Sequence, residues 1–90
     1  MKYVKKPVEV EAWKVSDFSI NDKVPGWVVG AFLLNKVYET SSNREKGNYV
    51  VQTLEGNMFF RNGDYLVKGV KGELYAVRGD IFEETYEEVI

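Results

Sequence analysis

The side chains able to do chemistry in this chain are few in kind. Histidine and cysteine are both absent from its 90 residues. That removes the commonest general base, the commonest metal ligands and the strongest side-chain nucleophile. Ser16, Ser19, Ser41 and Ser42 stand in polar, loop-like stretches with no imidazole to activate them. A hydrolase would have to work from carboxylates alone. Glu9 and Glu11 share one face of an alternating segment, and Asp17 and Asp22 share a loop. A pair such as Glu9 and Glu11 is the usual solvated face of an edge strand. No stretch resembles a calcium loop, and no glycine motif built for phosphate precedes a helix. The expectation is a non-enzyme with no catalytic residue, no metal site and no cofactor.

Binding chemistry is better represented. Lys68, Lys71, Tyr75 and Arg78 lie on one strand–turn–strand stretch, and Arg61 stands just before it. Cations beside an aromatic ring suit a nucleotide, with stacking for the base and charge-assisted hydrogen bonds for the phosphates. These five are the candidate ligand-binding residues. The plainer reading of the same residues has Lys68 facing water on a half-exposed strand, Lys71 in a solvated turn and Tyr75 in the core.

The elements that must position them can be read from pattern. Tyr65 to Val70 and Glu73 to Arg78 are strands, joined at Lys71-Gly72, where glycine suits the positive φ of a tight hairpin. Leu74 and Ala76 share one face and Tyr75 and Val77 the other, so part of the outer face must also be covered. Tyr65 and Val67 compete with Leu66 and Val70 for the core. Gly79 breaks the strand. Asp80 and Glu83 have capping-box spacing, and Phe82, Tyr86 and Val89 form one apolar stripe of a short acidic helix. Glu87 and Glu88 oppose the helix dipole, which predicts fraying at the end.

Pro7 to Val15 alternates, with Val8, Val10 and Ala12 on one face and Glu9, Glu11 and Trp13 on the other. The apolar face is expected to be buried. Trp13 is then the odd member of the acidic face, covered by a neighbouring element or held against a partner. Ser16 to Val24 and Ser41 to Gly47 read as solvated loops. Pro25 suits the first turn of a helix over Gly26 to Leu34, with Asn35 as its C-terminal stop. Trp27, Ala31 and Leu34 make a stripe, yet Val28, Val29, Phe32 and Leu33 add apolar residues on nearly every other side. Such a helix is either sunk between sheet and loops or shared with a second copy. Trp27, Val28, Phe32 and Leu33 are the candidate interface residues. Lys36 to Thr40, Asn48 to Leu54 and Asn57 to Arg61 complete the strands, the last two joined by a turn at Glu55-Gly56.

The chain thus predicts a single α+β domain over residues 1–90. Its core element is a twisted antiparallel sheet or half-barrel of about six short strands, with one central and one C-terminal short helix. Twelve basic against fourteen acidic residues give a net charge of −2, which argues against a general nucleic-acid binder. No apolar run reaches membrane-spanning length, and Lys2, Lys5 and Lys6 are followed by no signal-like apolar region. Two Trp, six Tyr and five Phe must supply much of the core, because no disulfide can.

The two ends of the chain carry a resemblance. KYVKKPVEVEAW with GDYLVKGVKGELYAV and DIFEETYEEV resembles a family of small uncharacterised proteins of tailed bacteriophages and prophages. Those proteins commonly open with a KKPV-VEA strand and close with a PGDY-IKGVKGE-Y-DIFE-TYE segment. The likeness covers about half the chain. Asn62 stands where the family usually has Pro, and Ala76-Val77-Arg78-Gly79 replaces a stretch that often carries Pro and Cys. The resemblance implies a phage accessory protein in the cytoplasm of the infected bacterial host. Within that setting the residues leave a first reading and its alternatives. The first is a homo-oligomer that sequesters a nucleotide-like small molecule, as a counter-defence. The alternatives are a protein–protein inhibitor docking on a host or defence protein, or a structural accessory of the phage particle.

Overall fold

A computed structural model describes residues 1–4, 7–16, 24–40 and 47–89. Their elements follow in the order β1 (Glu11–Lys14), α1 (Gly26–Leu33), β2 (Val37–Glu39), β3 (Tyr49–Thr53), β4 (Gly56–Phe60), β5 (Tyr65–Lys68), β6 (Leu74–Val77) and α2 (Gly79–Thr85). The α+β class, the six short antiparallel strands and the central and C-terminal helices agree with the sequence reading. The strands divide between two three-stranded sheets, β1-β5-β6 and β2-β3-β4, and no barrel closes among the described residues. Asp17, Asp22, Ser19, Ser41 and Ser42, and most of the two expected loops, lie outside the described residues.

β1 is shorter than its alternating pattern and faces the other way. Only Glu11 to Lys14 pairs with β5, in the register Trp13↔Leu66. Trp13 is 8% exposed and Val15 2%, whereas Ala12 and Val8 are exposed. The expectation that Val8, Val10 and Ala12 form the buried face is therefore corrected. Val8 and Val10 precede the paired segment, so their alternation has no sheet to bury against. The indole, with far more apolar area than Ala12, takes the inside.

α1 is half-sunk. Pro25 precedes its first residue, and Asn35, at φ 58°, ends it in the left-handed region. Lys36 N–H donates to the Ala31 carbonyl at 2.9 Å and Asn35 N–H to that of Phe32 at 3.1 Å. These are the two bonds of a Schellman stop. Val28 and Ala31 enter the core, Trp27 and Phe32 pack partly against it, and Leu33 and Leu34 stay 77% and 69% exposed. Val28 is fully buried and so lies in the core, not on the expected interface. The core joins the inner faces of both sheets. Val37, Tyr49, Val51 and Phe60 come from one sheet and Trp13 and Leu66 from the other, with Tyr49 stacked on Phe60 at 5.4 Å.

The expected run of hairpins holds from β2 to β4 and again from β5 to β6. It fails between β4 and β5, where Arg61 to Asp64 carries the chain from one sheet to the other. β1 pins that corner: Val15 N–H donates to the Asp64 carbonyl at 2.8 Å, and Gly63 N–H to that of Val15 at 2.9 Å. Gly72 takes the expected positive φ, 82°, but the hairpin is less tight than expected: β5 stops at Lys68 and β6 starts at Leu74, and Gly72 N–H donates to the Gly69 carbonyl at 3.0 Å within the longer loop.

The pairing Tyr65↔Val77 and Val67↔Tyr75 sets these four residues on the outer face of the first sheet, opposite Leu66 and Ala76. The competition for the core is settled: Leu66 faces the second sheet, Tyr65 and Val67 face out, and Val70 is 66% exposed. Val67 is nonetheless fully buried, on a face where α2 and the residues after it cover its neighbours Tyr65 and Tyr75. Phe82 stacks on Tyr65 at 3.9 Å and on Tyr86 at 4.4 Å. Glu83 accepts from the Tyr65 hydroxyl at 3.2 Å and from Lys14 Nζ at 3.3 Å. The helix ends at Thr85, and Tyr86 is already extended. Val89 therefore leaves the predicted stripe and is exposed.

Burial and a hydrogen bond with Tyr86 push the Tyr75 phenol from 10.0 up to about 12. A raised folded-state value means that the neutral phenol is favoured by folding. Its contribution is whole below pH 10 and is lost as pH climbs from 10 to about 12. Tyr75→Phe should flatten the fall in stability across that window, measured by urea unfolding at successive pH values. An unchanged alkaline slope would mean that Tyr75 is solvated in the folded state.

Candidate functional site

The corner between the sheets and the start of α2 meet. Asp64 joins them. Its Oδ2 accepts from Arg61 N–H at 3.1 Å, and its Oδ1 accepts from Gly79 N–H at 3.3 Å. A buried or half-buried carboxylate that satisfies two backbone donors fixes both segments. Gly79 makes the approach possible, since a Cβ there would lie 2.1 Å from the Gly63 carbonyl oxygen. The expected capping box is not formed. The helix begins two residues earlier, with Arg78 in place of Asp80 at the N-cap, and the N–H of its first residue, Gly79, is satisfied by Asp64 from across the molecule. Asp80 sits inside the first turn and accepts from Ile81 N–H at 2.9 Å.

An open depression of about 620 Å³ lies over this junction. Arg61, Asn62, Gly63 and Asp64 line it from the corner, Arg78, Gly79 and Asp80 from the β6–α2 junction, and Phe59 from β4. Arg61 and Arg78, both expected to bind ligand, are thus brought to one site. Arg78 grips Asp80 in a two-pronged ion pair, Nε to Oδ1 at 3.0 Å and Nη2 to Oδ2 at 2.5 Å. That hydrogen bonding raises the Arg78 guanidinium and holds the Asp80 carboxyl below the usual carboxylate range.

The other three candidate residues lie elsewhere. Lys68 pairs with Leu74 at the far end of the hairpin, roughly 13 Å along the strand from Arg78 at 3.3 Å per residue. It approaches Glu11 at 3.9 Å across β1. Lys71 is exposed in the turn, where its N–H donates to Glu73 Oε2 at 3.0 Å. Tyr75 lies under the C-terminal segment, bonded to Tyr86. Phe59, Asn62, Asp64 and Asp80 are members of the depression that pattern reading did not select. Asn62-Gly63-Asp64 is turn chemistry, but nothing local shows that Asp64 reaches α2.

Of the interface candidates, Leu33 is exposed, Trp27 and Phe32 are half-buried and Val28 is enclosed. Phe32 meets Tyr49 edge to face at 6.4 Å. Among the described residues, no group of three or more acidic side chains is placed to hold a metal ion. No helix there is long and apolar enough to cross a membrane. No protein-family model, no curated protein and no solved structure matches the chain.

Proposed function

We propose that this chain is a non-enzymatic phage accessory protein, acting against host defence in the cytoplasm of the infected bacterium. In this reading it binds and holds a nucleotide-like small molecule, as a homo-oligomer. The observation that carries the binding site is the convergence of Arg61 and Arg78 on one depression of about 620 Å³ with Phe59 on its wall. That volume is in the range of small-molecule sites. Guanidinium groups bind phosphate oxygens in pairs, and an aromatic ring offers a stacking surface for a base. A chain with no histidine and no cysteine is suited to holding a ligand without turning it over. The phage setting rests on the motifs at the two ends of the sequence.

The test is native mass spectrometry of protein purified from phage-infected cells. The expected species is an oligomer carrying an adduct of nucleotide mass, released on denaturation. Arg61→Ala and Arg78→Ala should each weaken retention by roughly tenfold or more, as loss of a charge-assisted hydrogen bond does, while Lys68→Ala should not. Retention lost through Lys68→Ala alone would move the site to the hairpin tip.

The alternative, an inhibitor docking on a host or defence protein or a structural accessory of the phage particle, is favoured by one observation. Val29, Leu33 and Leu34 leave apolar area exposed at the end of α1, which suits a contact with another chain. A bare mass with a co-purifying protein would select this reading.

A further inference from the structure

Asn62 is the one asparagine of the chain followed by glycine; the others precede Asp22, Lys36, Arg44, Tyr49 and Met58. The pair sits at the corner between the sheets, with Asn62 exposed and Gly63 at φ 94°. An asparagine before glycine is chemically labile, because no Cβ on the next residue hinders attack by that residue's backbone nitrogen. Here that nitrogen is engaged: Gly63 N–H donates to the Val15 carbonyl at 2.9 Å. We infer that Asn62-Gly63 is a deamidation site guarded by the chain at the end of β1, and that it reacts when Val15 releases the corner. The inference is independent of any ligand.

The reaction needs only water. The Gly63 nitrogen attacks Cγ of Asn62, the Cγ–Nδ2 bond breaks, and ammonia leaves with the proton that the Gly63 nitrogen gives up. Water then opens the cyclic imide at either carbonyl. Opening at Cγ leaves aspartate. Opening at the main-chain carbonyl leaves isoaspartate, with an extra methylene in the backbone. The closed corner opposes the first step, because the Gly63 nitrogen must leave the Val15 carbonyl before it can turn on Cγ. The next residue is held as well. The Asp64 carbonyl accepts from Val15 N–H at 2.8 Å, and its carboxylate accepts from Arg61 N–H and Gly79 N–H. A group held in this way reacts through the fraction of molecules that are locally open. The two products differ in consequence. Aspartate keeps the backbone and adds a negative charge to a lining in which Asp64 and Asp80 already balance Arg61 and Arg78. Isoaspartate lengthens the Arg61–Asp64 turn, which is closed by Asp64 N–H on the Arg61 carbonyl at 3.1 Å. The corner then cannot re-form on the same bonds, and a transient opening becomes permanent.

The experiment incubates the whole protein at neutral pH, folded and in urea sufficient to unfold it. Residue 62 is followed by peptide mass spectrometry that separates aspartate from isoaspartate. Asn62 should convert in urea and react at least roughly tenfold more slowly in the folded protein, while the other asparagines stay intact over the same period. Equal rates in the two states would overturn the guard, and no conversion in urea would overturn the site. In urea too dilute to unfold the protein, conversion should track hydrogen exchange of the Gly63 amide. Conversion that instead tracks the Val51 amide would mean that global unfolding, not release by Val15, admits the reaction. Asn62→Asp should melt close to the parent, whereas the isoaspartate form, isolated and refolded, should melt lower. An isoaspartate form as stable as Asn62→Asp would overturn the permanent opening.

Discussion

Trp13→Ala is expected to destabilise the fold by about 3–5 kcal/mol, the usual cost of truncating a large aromatic in a core. Trp13 stands on β1 opposite Leu66, whose own partner on β6 is Ala76. All three belong to the interior between the sheets, where Leu66 is fully buried and Ala76 packs at the margin. Removing the indole empties the space between β1 and the second sheet, and backbone paired on β5 cannot collapse to fill it. A domain of this size has about 5–15 kcal/mol to lose, so the variant should sit near the edge of folding. Trp13→Phe should keep most of the stability. Urea unfolding measures both. A cost below about 0.5 kcal/mol for the alanine variant, the range of surface substitutions, would return Trp13 to the solvent face.

The second large effect is at Gly79. A methyl group there would lie 2.1 Å from the Gly63 carbonyl oxygen and 3.1 Å from its carbon. Both are backbone atoms of a corner already pinned to Val15, so neither can swing aside. Relief requires the corner and the start of α2 to part, which breaks the bond from Gly79 N–H to Asp64. Gly79→Ala should therefore cost about 2–3 kcal/mol and lower the thermal midpoint by roughly 10–20 °C. It should also weaken ligand retention, because Arg61 and Arg78 are held on one depression by this contact. Gly30→Ala is the control: its added Cβ meets nothing within 4 Å and should be tolerated. A thermal midpoint unchanged by Gly79→Ala would mean that the two segments do not touch in solution.

Local chemistry determined a good part of this protein. Asn35 as a helix stop, the positive φ of Gly72, the strand runs and the covered outer face of β6 are all legible in pattern, whereas the β3–β4 turn falls at Leu54-Glu55, one residue before the expected Glu55-Gly56. Each depends on φ preference or side-chain alternation within a few residues. The tertiary structure alone decided which face of β1 turns inward. Alternation defines two faces without ranking them, and the valines that ranked them on paper lie beyond the paired residues. It also decided the division into two sheets, since the Arg61–Asp64 turn reads the same whether the chain doubles back or crosses over. The site follows from that crossing. Arg61 and Arg78 are 17 residues apart in the sequence and meet only because Asp64 and Gly79 bring the corner and the helix start together. Lys68 and Lys71 are closer to Arg78 along the chain, yet an extended strand holds them at its opposite end. Sequence proximity in a hairpin groups residues by strand, whereas a binding site groups them by where the strands begin and end.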